Sequence, residues 1–287
     1  MKRKYYDISI IIPSFKSEKY LNRLITALDN QTLLPNEIII IDSKTNLDFL
    51  NKLKQNFQSL NITLKILNST SYPGNKRNLG VSISKNNIIA FLDTKTIPKK
   101  DWIEKYINLL KNSKYDVIFG STFFSFKTFL QKLINYATFG NSTHETTPGT
   151  ILRKNIFISS GFFIENVRAG DDLEWRIRIK NNGVQFKNSE RAYLEYIDDN
   201  NNLFSFLKKI FIYSIHNSFV TVQTNIKSLY LLLLILFSTI IIPKWNYIIP
   251  DWEESIFYIP NITKIYISLL LFIYIFYFLL SFIFKIK

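Results

Sequence analysis

The feature that most constrains the fold is an alternation of short isoleucine-rich runs with amphipathic stretches, from Asp7 to about Tyr196. The apolar runs predict strands at Ile8–Ile12, Glu37–Ile41, Ile62–Leu67, Ile88–Leu92 and Val117–Phe119. Apolar residues at helical spacing predict helices at Glu18–Asn30, Asn75–Ser84 and Lys100–Lys111. Strands of near-continuous apolar character that alternate with helices indicate an α/β fold, with a mostly parallel sheet flanked by helices.

Ligands of such sheets bind beyond the carboxyl ends of the strands. The residues at these positions are Pro13-Ser14-Phe15, Asp42-Ser43-Lys44 and Asp93-Thr94-Lys95. Aspartate and serine are also ordinary turn and helix-capping residues. Two strand ends with the order Asp, hydroxyl, Lys, and a basic pair in the next helix, favour a nucleotide or phosphate site. Glycine-rich phosphate loops do not occur in the sequence, which argues against a kinase, a P-loop NTPase or a dinucleotide enzyme.

The amino-acid composition excludes several kinds of site and limits the classes of binding partner. The 287-residue chain has no cysteine and two histidines, so disulfides, thiol nucleophiles and cysteine-based zinc sites are excluded. Its net charge of +14 indicates an anionic partner, such as nucleic acid, a phosphorylated substrate or an acidic membrane face. The basic residues are dispersed and match no nucleic-acid-binding module, so we expect no nucleic-acid partner.

Two apolar runs near the C-terminus predict a transmembrane helical hairpin. Ile265–Phe284 has no charged residue and, at about 1.5 Å per residue, has the length of a bilayer core; a buried core helix is the alternative. Ser228–Pro243 is shorter, and it spans with Lys227 and Lys244 reaching to the interfaces. The flanking lysines place the N-terminal domain and the C-terminus on the cytoplasmic side of the inner or plasma membrane, in a multi-pass protein.

The predicted domain organisation has three parts. Residues 1–200 form the α/β domain, 201–225 a juxtamembrane helix, and 226–287 two transmembrane helices, at about 228–243 and 265–284. The middle segment has apolar residues at helical spacing flanked by Lys208 and Lys209. This pattern fits a helix that lies on an anionic bilayer, and it equally fits an amphipathic helix that closes the α/β domain.

Four segments resemble family 2 glycosyltransferases, which have the GT-A fold. They are "ISIIIPSFKSEKYLNRLITALDNQTLLPNEIIIID", "GNKRNLGVSISKNNIIAFLDTKTIP", "GTILRKNIFISSGFF" and "RAGDDLEWRIRIKNNG". The first is similar to the family's opening strands and helix, and the second to its Arg-Asn helix and the strand that carries the DxD motif. The third is similar to the segment before the catalytic helix, and the fourth to the ED motif. They occur in the family's order and cover roughly Ile8–Gly183.

The resemblance implies roles for the matching positions only. Those expected to bind the nucleotide sugar are Pro13, Ser14, Phe15, Asp42, Arg77, Asp93, Thr94 and Lys95. Asp93 would be the first acid of DxD and the metal ligand, and Asp172 the general base. The acceptor side would consist of Asp171, Trp175 and Arg176, although a core position for Trp175 is an equal alternative. The acids of "GDDLEWRIR" also suit a helix N-terminus on structural grounds alone.

The implied reaction is transfer of a sugar, with inversion, from a nucleoside-diphosphate sugar to a hydroxyl. Mg²⁺ or Mn²⁺ is the expected cofactor, but Lys95 replaces the second acid of DxD. In one alternative, Asp93 is the one protein ligand of the metal, and substrate phosphates complete its coordination. In another, Lys95 itself neutralises the diphosphate. The third is an enzyme that has lost catalysis. The polar segment Thr138–Thr150, with His144, predicts a mobile loop that closes over substrates.

The leading functional prediction is a membrane-anchored inverting glycosyltransferase that builds a surface or lipid-linked glycan of the cell envelope. Transfer to a polyprenyl phosphate is the first alternative. That acceptor is already ionised and needs no base, so the "GDD" segment favours a hydroxyl acceptor. The second alternative is a membrane protein that binds nucleotide sugars without catalysis.

Overall fold

The structure is a computed structural model of the chain. It describes residues 3–58, 62–125, 128, 131, 144–189, 191–197, 203–220, 244 and 263–272. The chain divides into two compact units, Met1–Tyr213 and Ser214–Lys287. All the strands, and the site considered below, belong to the first unit.

The described residues form nine strands and seven named helices. The strands are β1 (Tyr5–Pro13), β2 (Leu34–Asp42), β3 (Thr63–Asn68), β4 (Ile88–Phe91), β5 (Thr96–Pro98), β6 (Val117–Ser125), β7 (His144–Arg153), β8 (Phe186–Asn188) and β9 (Leu194–Ile197). The helices are α1 (Glu18–Asp29), α2 (Leu47–Gln58), α3 (Pro73–Ile83), α4 (Trp102–Asn112), α5 (Lys154–Ser160), α6 (Asp171–Asn181) and α7 (Leu203–Ser218).

The sheet is mixed. Its order is β3-β2-β1-β4-β7-β6-β9-β5, with β8 paired to β6. The first four strands are mutually parallel, whereas β7 runs antiparallel to both of its neighbours and β5 antiparallel to β9. The prediction of a mostly parallel sheet therefore holds for the N-terminal half and is corrected to a mixed sheet for the whole. Sequence reasoning missed this because it did not recognise β5, β7, β8 and β9.

Helices cover both faces of the sheet, which explains the isoleucine-rich runs. In β1, Ile10 and Ile12 lie in one apolar cluster and Ile11 in the other; in β2, Ile40 and Ile41 divide in the same way. All five are fully buried. A strand that is buried on both faces needs apolar side chains at every position rather than at alternate ones.

The five predicted strands and three predicted helices are all present, with shifted ends. The largest change is in β6, which continues from the predicted Val117–Phe119 to Ser125. The prediction of a mobile loop at Thr138–Thr150 is wrong over residues 144–150, which are strand β7; residues 138–143 lie outside the described residues. Pairing with β6 makes this polar segment a strand, and Thr147 and Thr150 are fully buried in it.

The C-terminal predictions are described only in part. Helix α7 lies within the predicted juxtamembrane segment, and the helical residues 263–272 overlap the start of the predicted span Ile265–Phe284. The predicted span Ser228–Pro243 lies outside the described residues. Within the described part of the chain, no helix is long and apolar enough to cross a membrane.

Candidate active site

Three predicted strand ends meet at one edge of the sheet. Strand β1 lies between β2 and β4. Its Pro13 is paired with Ile41 of β2, and its Ile11 with Phe91 of β4. The strands are parallel, so the residues that follow them emerge side by side. This arrangement brings the Pro13–Phe15 segment, Asp42 and Asp93 to a common edge.

At this edge Asp42 is buried, and each of its carboxylate oxygens accepts one hydrogen bond. Its Oδ1 accepts from Thr45 Oγ1 at 2.6 Å and its Oδ2 from Thr45 N at 3.1 Å. Ser14 is also buried, whereas Phe15 exposes 54% of its surface. A buried acid beside an exposed aromatic ring can recognise a flat polar ligand by hydrogen bonding and stacking together.

Lys76, the first residue of the basic pair Lys76-Arg77 in α3, is a buried cation. Its Nζ donates to Ser14 O and to Ser43 Oγ, both at 2.6 Å, and it therefore ties the ends of β1 and β2 together. Burial lowers the pKa of Lys76, and the nearby Asp42 carboxylate opposes that shift. A lysine on the buried face of α3 gives no distinct sequence signal, because solvated lysines are common in helices.

The two acid motifs are joined by Arg77. Its Nη2 lies 2.8 Å from Asp93 Oδ1 and its Nη1 3.1 Å from Asp171 Oδ2. Burial alone would lower the pKa of Arg77, but Asp93, Asp171 and Asp172 together raise it, so the guanidinium stays charged. Burial raises the pKa of Asp171 to about 7, even though Arg77 acts in the opposite direction.

Two further residues of α3 hold the segment that precedes α6. Asn78 Nδ2 donates to Phe163 O at 2.9 Å, and Phe163 N donates back to Asn78 Oδ1 at 3.0 Å. At Gly74 a Cβ atom would lie 2.7 Å from Ile164 O and 3.0 Å from Asp171 Oδ2. Glycine is therefore needed for the close approach that lets Arg77 reach Asp171.

Asp172 lies in the first turn of α6 and is half-buried. Its Oδ1 accepts from Leu173 N at 2.8 Å. A helix N-terminus stabilises a negative side chain, and it does so here for a carboxylate that solvent can still reach. This carboxylate suits proton transfer better than the buried, ion-paired Asp171.

The three residues predicted for the acceptor side all make contacts within the protein. Asp171 is 3% exposed and faces Arg77. Trp175 is fully buried and packs against Phe91 and Phe163, so the core alternative applies and no ring face is open to a sugar. Arg176 donates to the carbonyl and the carboxylate of Glu145.

The residues after Asp93 turn towards the start of α1. Thr94 Oγ1 donates to Ser17 Oγ at 3.2 Å, and Lys95 Nζ lies 5.1 Å from the centroid of the Tyr20 ring. Thr94 is buried, whereas Lys95 is partly exposed. The ammonium group is therefore near the strand-end edge, where it contacts an aromatic ring.

The carboxylates fit at most a weakly held divalent cation. Asp93 is 34% exposed in its side chain, and its Oδ1 is bonded to Arg77. The described residues contain no group of three or more aspartate, glutamate, histidine or cysteine residues that could hold a metal. A magnesium ion needs only one or two protein carboxylates when substrate phosphates complete its shell, so Asp93 is a sufficient protein ligand only with a phosphate present.

Comparison with known proteins shows the family. Residues 9–172, more than half of the chain, match the model for glycosyl transferase family 2. The chain belongs to this family. The glycosyltransferase predicted from the sequence motifs is thereby confirmed at the level of the family, and the matched range ends at Asp172.

Two curated relatives are similar to parts of this family 2 domain. A poly(ribitol-phosphate) beta-glucosyltransferase of Bacillus spizizenii is 30% identical over 118 residues, which is 39% of this chain and 18% of the relative. The glycosyltransferase AglE of Haloferax volcanii is 22% identical over 189 residues, which is 61% of this chain and 62% of AglE. The chain thus spans less than two thirds of each relative.

A solved structure shares the fold. TarS of Staphylococcus aureus, residues 1–349 in complex with UDP-GlcNAc, aligns with a TM-score of 0.54 and 16% identity. The alignment covers 70% of this chain and 61% of the TarS chain. At this identity the likeness concerns the fold, which is the GT-A-like α/β fold predicted from the sequence.

Proposed function

We propose that the chain transfers a sugar from a nucleoside-diphosphate sugar to an acceptor hydroxyl, with inversion, and that Asp172 is the general base. The arrangement of carboxylates carries this proposal. Arg77 joins Asp93 at a strand end to Asp171 at the start of α6, and the neighbouring Asp172 is only half-buried. A leaving-group region and a proton acceptor thus meet at one edge of the sheet.

In this reaction Asp172 takes the proton of the acceptor hydroxyl. The oxygen forms a bond to the anomeric carbon from the face opposite the diphosphate, and the bond from that carbon to the diphosphate oxygen breaks. The electron pair leaves with the nucleoside diphosphate, so the anomeric configuration inverts. A positioned general base contributes about 10²–10⁴-fold to the rate of such a step.

The nucleotide would bind at the ends of β1 and β2. Phe15 offers an exposed ring for stacking, and Asp42 a carboxylate that still has free lone pairs after its bonds to Thr45. Pro13 and Ser14 would form the floor of this site. Two lysines, Lys76 in α3 and Lys95 after Asp93, would add positive charge near the anionic donor.

The diphosphate would lie near Asp93, with Arg77 behind it. Mg²⁺ or Mn²⁺ held by Asp93 and the donor phosphates would supply stabilisation of the leaving group. Lys95 stands where a second acid would strengthen the metal site, and its ammonium can neutralise part of the phosphate charge itself. We therefore propose a glycosyltransferase with weak metal dependence.

The acceptor and the location are proposals of the same kind. The relative from Bacillus spizizenii acts on poly(ribitol-phosphate), and a polymeric glycan or lipid-linked saccharide with hydroxyl groups is the acceptor class that suits a general base. In α7, Phe204 and Phe211 are 75% and 63% exposed, one on each side of the exposed Lys208. Such a helix suits the surface of an anionic bilayer, and the downstream apolar runs would anchor the chain in the membrane with the catalytic domain in the cytoplasm.

A donor panel tests the proposal. The full chain, purified in detergent, is titrated with UDP-GlcNAc, UDP-glucose and GDP-mannose, and release of the nucleoside diphosphate is followed. Binding of one donor with turnover supports the proposal. Binding without turnover, even with glycan acceptors, would support a nucleotide-sugar-binding protein, and turnover only with a polyprenyl phosphate would support that alternative acceptor.

A further inference from the structure

We propose that Thr147, Glu145 and Arg176 form a clamp that positions Asp172 by its backbone. Thr147 and Glu145 lie on β7, and Arg176 lies one turn after Asp172 on α6. None of these residues would touch the substrate, so they are positioning residues. The inference rests on the proposed function, because it assumes that Asp172 is the base.

The clamp acts on the carbonyl oxygen of Asp172. Thr147 Oγ1 and Arg176 Nε both donate to this oxygen, each at 3.3 Å. One contact comes from the sheet and the other from the helix itself. Together they fix the first turn of α6 on β7, and the direction of the Asp172 side chain follows from the position of its backbone.

Glu145 holds the other end of the clamp. Arg176 Nη1 donates to Glu145 O at 2.6 Å and to Glu145 Oε1 at 3.1 Å. One turn further along α6, Lys180 Nζ donates to both carboxylate oxygens at 2.8 Å. The Arg176 and Glu145 side chains are 11% and 19% exposed, so solvent screens this ion pair less than one on the open surface.

The spacing of the two elements explains why the contacts fit. Asp172, Arg176 and Lys180 are four residues apart and share one face of α6, with a rise of about 6 Å between neighbours. Thr147 and Glu145 are two residues apart on β7, a separation of about 6.8 Å. Since the two repeats are nearly equal, a helix running antiparallel to the strand can place Asp172 at Thr147 and Arg176 at Glu145.

The strand end that supports the clamp is itself firmly held. Glu145 pairs with Ser121 and Thr146 with Gly120 in β6, and Thr146 and Thr122 share a side-chain hydrogen bond of 2.6 Å. Thr147 is fully buried. The pairing of β7 in the sheet does not need the Thr147 hydroxyl. That hydroxyl instead donates to a carbonyl oxygen of α6.

The test uses substitutions of nearly equal volume. Thr147→Val removes the hydroxyl, and Thr147→Ser restores it. Thr150→Val is the matched control: Thr150 is fully buried on the same strand, but its Oγ1 bonds to Thr146 O and Gly120 N rather than to Asp172.

With a donor from the panel above, Thr147→Val should lower kcat by about 10- to 100-fold at unchanged donor Kd, because small displacements of a reacting group have effects of this size. Thr147→Ser should recover most of kcat, and Thr150→Val should retain it.

A double-mutant cycle separates this proposal from the one on which it rests. If Thr147 acts through Asp172, Thr147→Val should cause no further loss in an Asp172→Asn background. An equal loss in both backgrounds, or equal effects of Thr147→Val and Thr150→Val, would overturn the clamp. Full activity of Asp172→Asn would overturn the base assignment instead. If Thr147→Val does not fold, Arg176→Lys replaces it, since lysine can keep the pair with Glu145 but cannot also offer an Nε donor to Asp172.

Discussion

The guanidinium of Arg77 lies between Asp93 and Asp171, at 2.8 Å from the first carboxylate and 3.1 Å from the second. These acids are 78 positions apart in the sequence: Asp93 lies in the turn between β4 and β5, and Asp171 begins α6. The bridge therefore links the end of β4 to the start of α6, beside the packing of Phe91 on Trp175. It places the region of the leaving group beside that of the proposed base.

Replacing Arg77 should destabilise the domain strongly. At pH 8, where Asp171 is ionised in the wild type, Arg77→Met removes the counter-charge of this buried carboxylate, and loss of one partner of a buried pair costs about 3–5 kcal/mol. Urea unfolding followed by fluorescence measures this loss. Arg153→Met is the control, since Arg153 and Asp116 form a pair with side chains 44% and 34% exposed, and its loss should cost about 0–1 kcal/mol. Equal losses for the two variants would contradict the structural role of the bridge.

The stability of the domain should fall as pH rises towards neutrality because of Asp171. The pKa of this carboxyl is about 7 in the folded protein, against 3.8 for the free side chain. Between these values the folded state binds more protons than the unfolded chain, so this contribution is present at low pH and is lost as pH rises through about 7.

Asp171→Asn isolates that effect. The free energy of unfolding of the wild type relative to this variant should decrease from pH 4.5 to pH 8, measured by urea unfolding at a series of pH values. Asp116→Asn, the same substitution at a partly exposed site, is measured in parallel as the control. A difference between wild type and Asp171→Asn that does not change with pH would rule out a raised pKa.

Local pattern was sufficient for the N-terminal half of the fold. Continuous apolar runs such as Ile8–Ile12 predict strands that are buried on both faces, and β1 and β2 are such strands. The local pattern did not predict β7. Threonines are buried in this strand because it pairs with β6 and contacts α6, and both elements are distant in the sequence. The strand-end acids were found because they occupy a position fixed by topology. The destinations of Trp175 and Arg176 could not be predicted, since a helix face becomes core or surface only when its neighbours are known.

Lys95 should determine how strongly activity depends on a metal. Lys95→Asp supplies the second carboxylate, so we expect tighter binding of Mn²⁺ in the presence of nucleoside diphosphate, measured by calorimetry, and greater sensitivity to EDTA. Lys44→Asp, at an exposed lysine that also follows a strand-end Asp, controls for the change in charge. Complete inactivation of the wild type by EDTA, together with an unaffected Lys95→Ala variant, would show that the lysine does not substitute for a metal.

Helix α7 should lie on the bilayer surface. The chain has no cysteine, so Phe204→Cys or Phe211→Cys introduces a unique site for a spin label. In the full chain reconstituted into bilayers with anionic lipid, both labels should be accessible to oxygen and protected from a water-soluble nickel chelate. A label at Phe162→Cys, an exposed apolar site of the catalytic domain, should show the opposite pattern. Labels at Phe204→Cys and Phe211→Cys that are open to the chelate would contradict membrane contact, and protection from both reagents would favour a helix that packs on protein.

The central claim is that Asp172 is the general base of a sugar transfer to a hydroxyl, and Asp172→Asn tests it most directly. Asparagine keeps the shape of the side chain but cannot take the proton. With the donor identified by the panel and an acceptor that turns over, kcat should fall by about 10²–10⁴-fold. Donor Kd and the free energy of unfolding should stay near wild-type values. A variant that binds donor normally and transfers sugar at the wild-type rate would contradict the account.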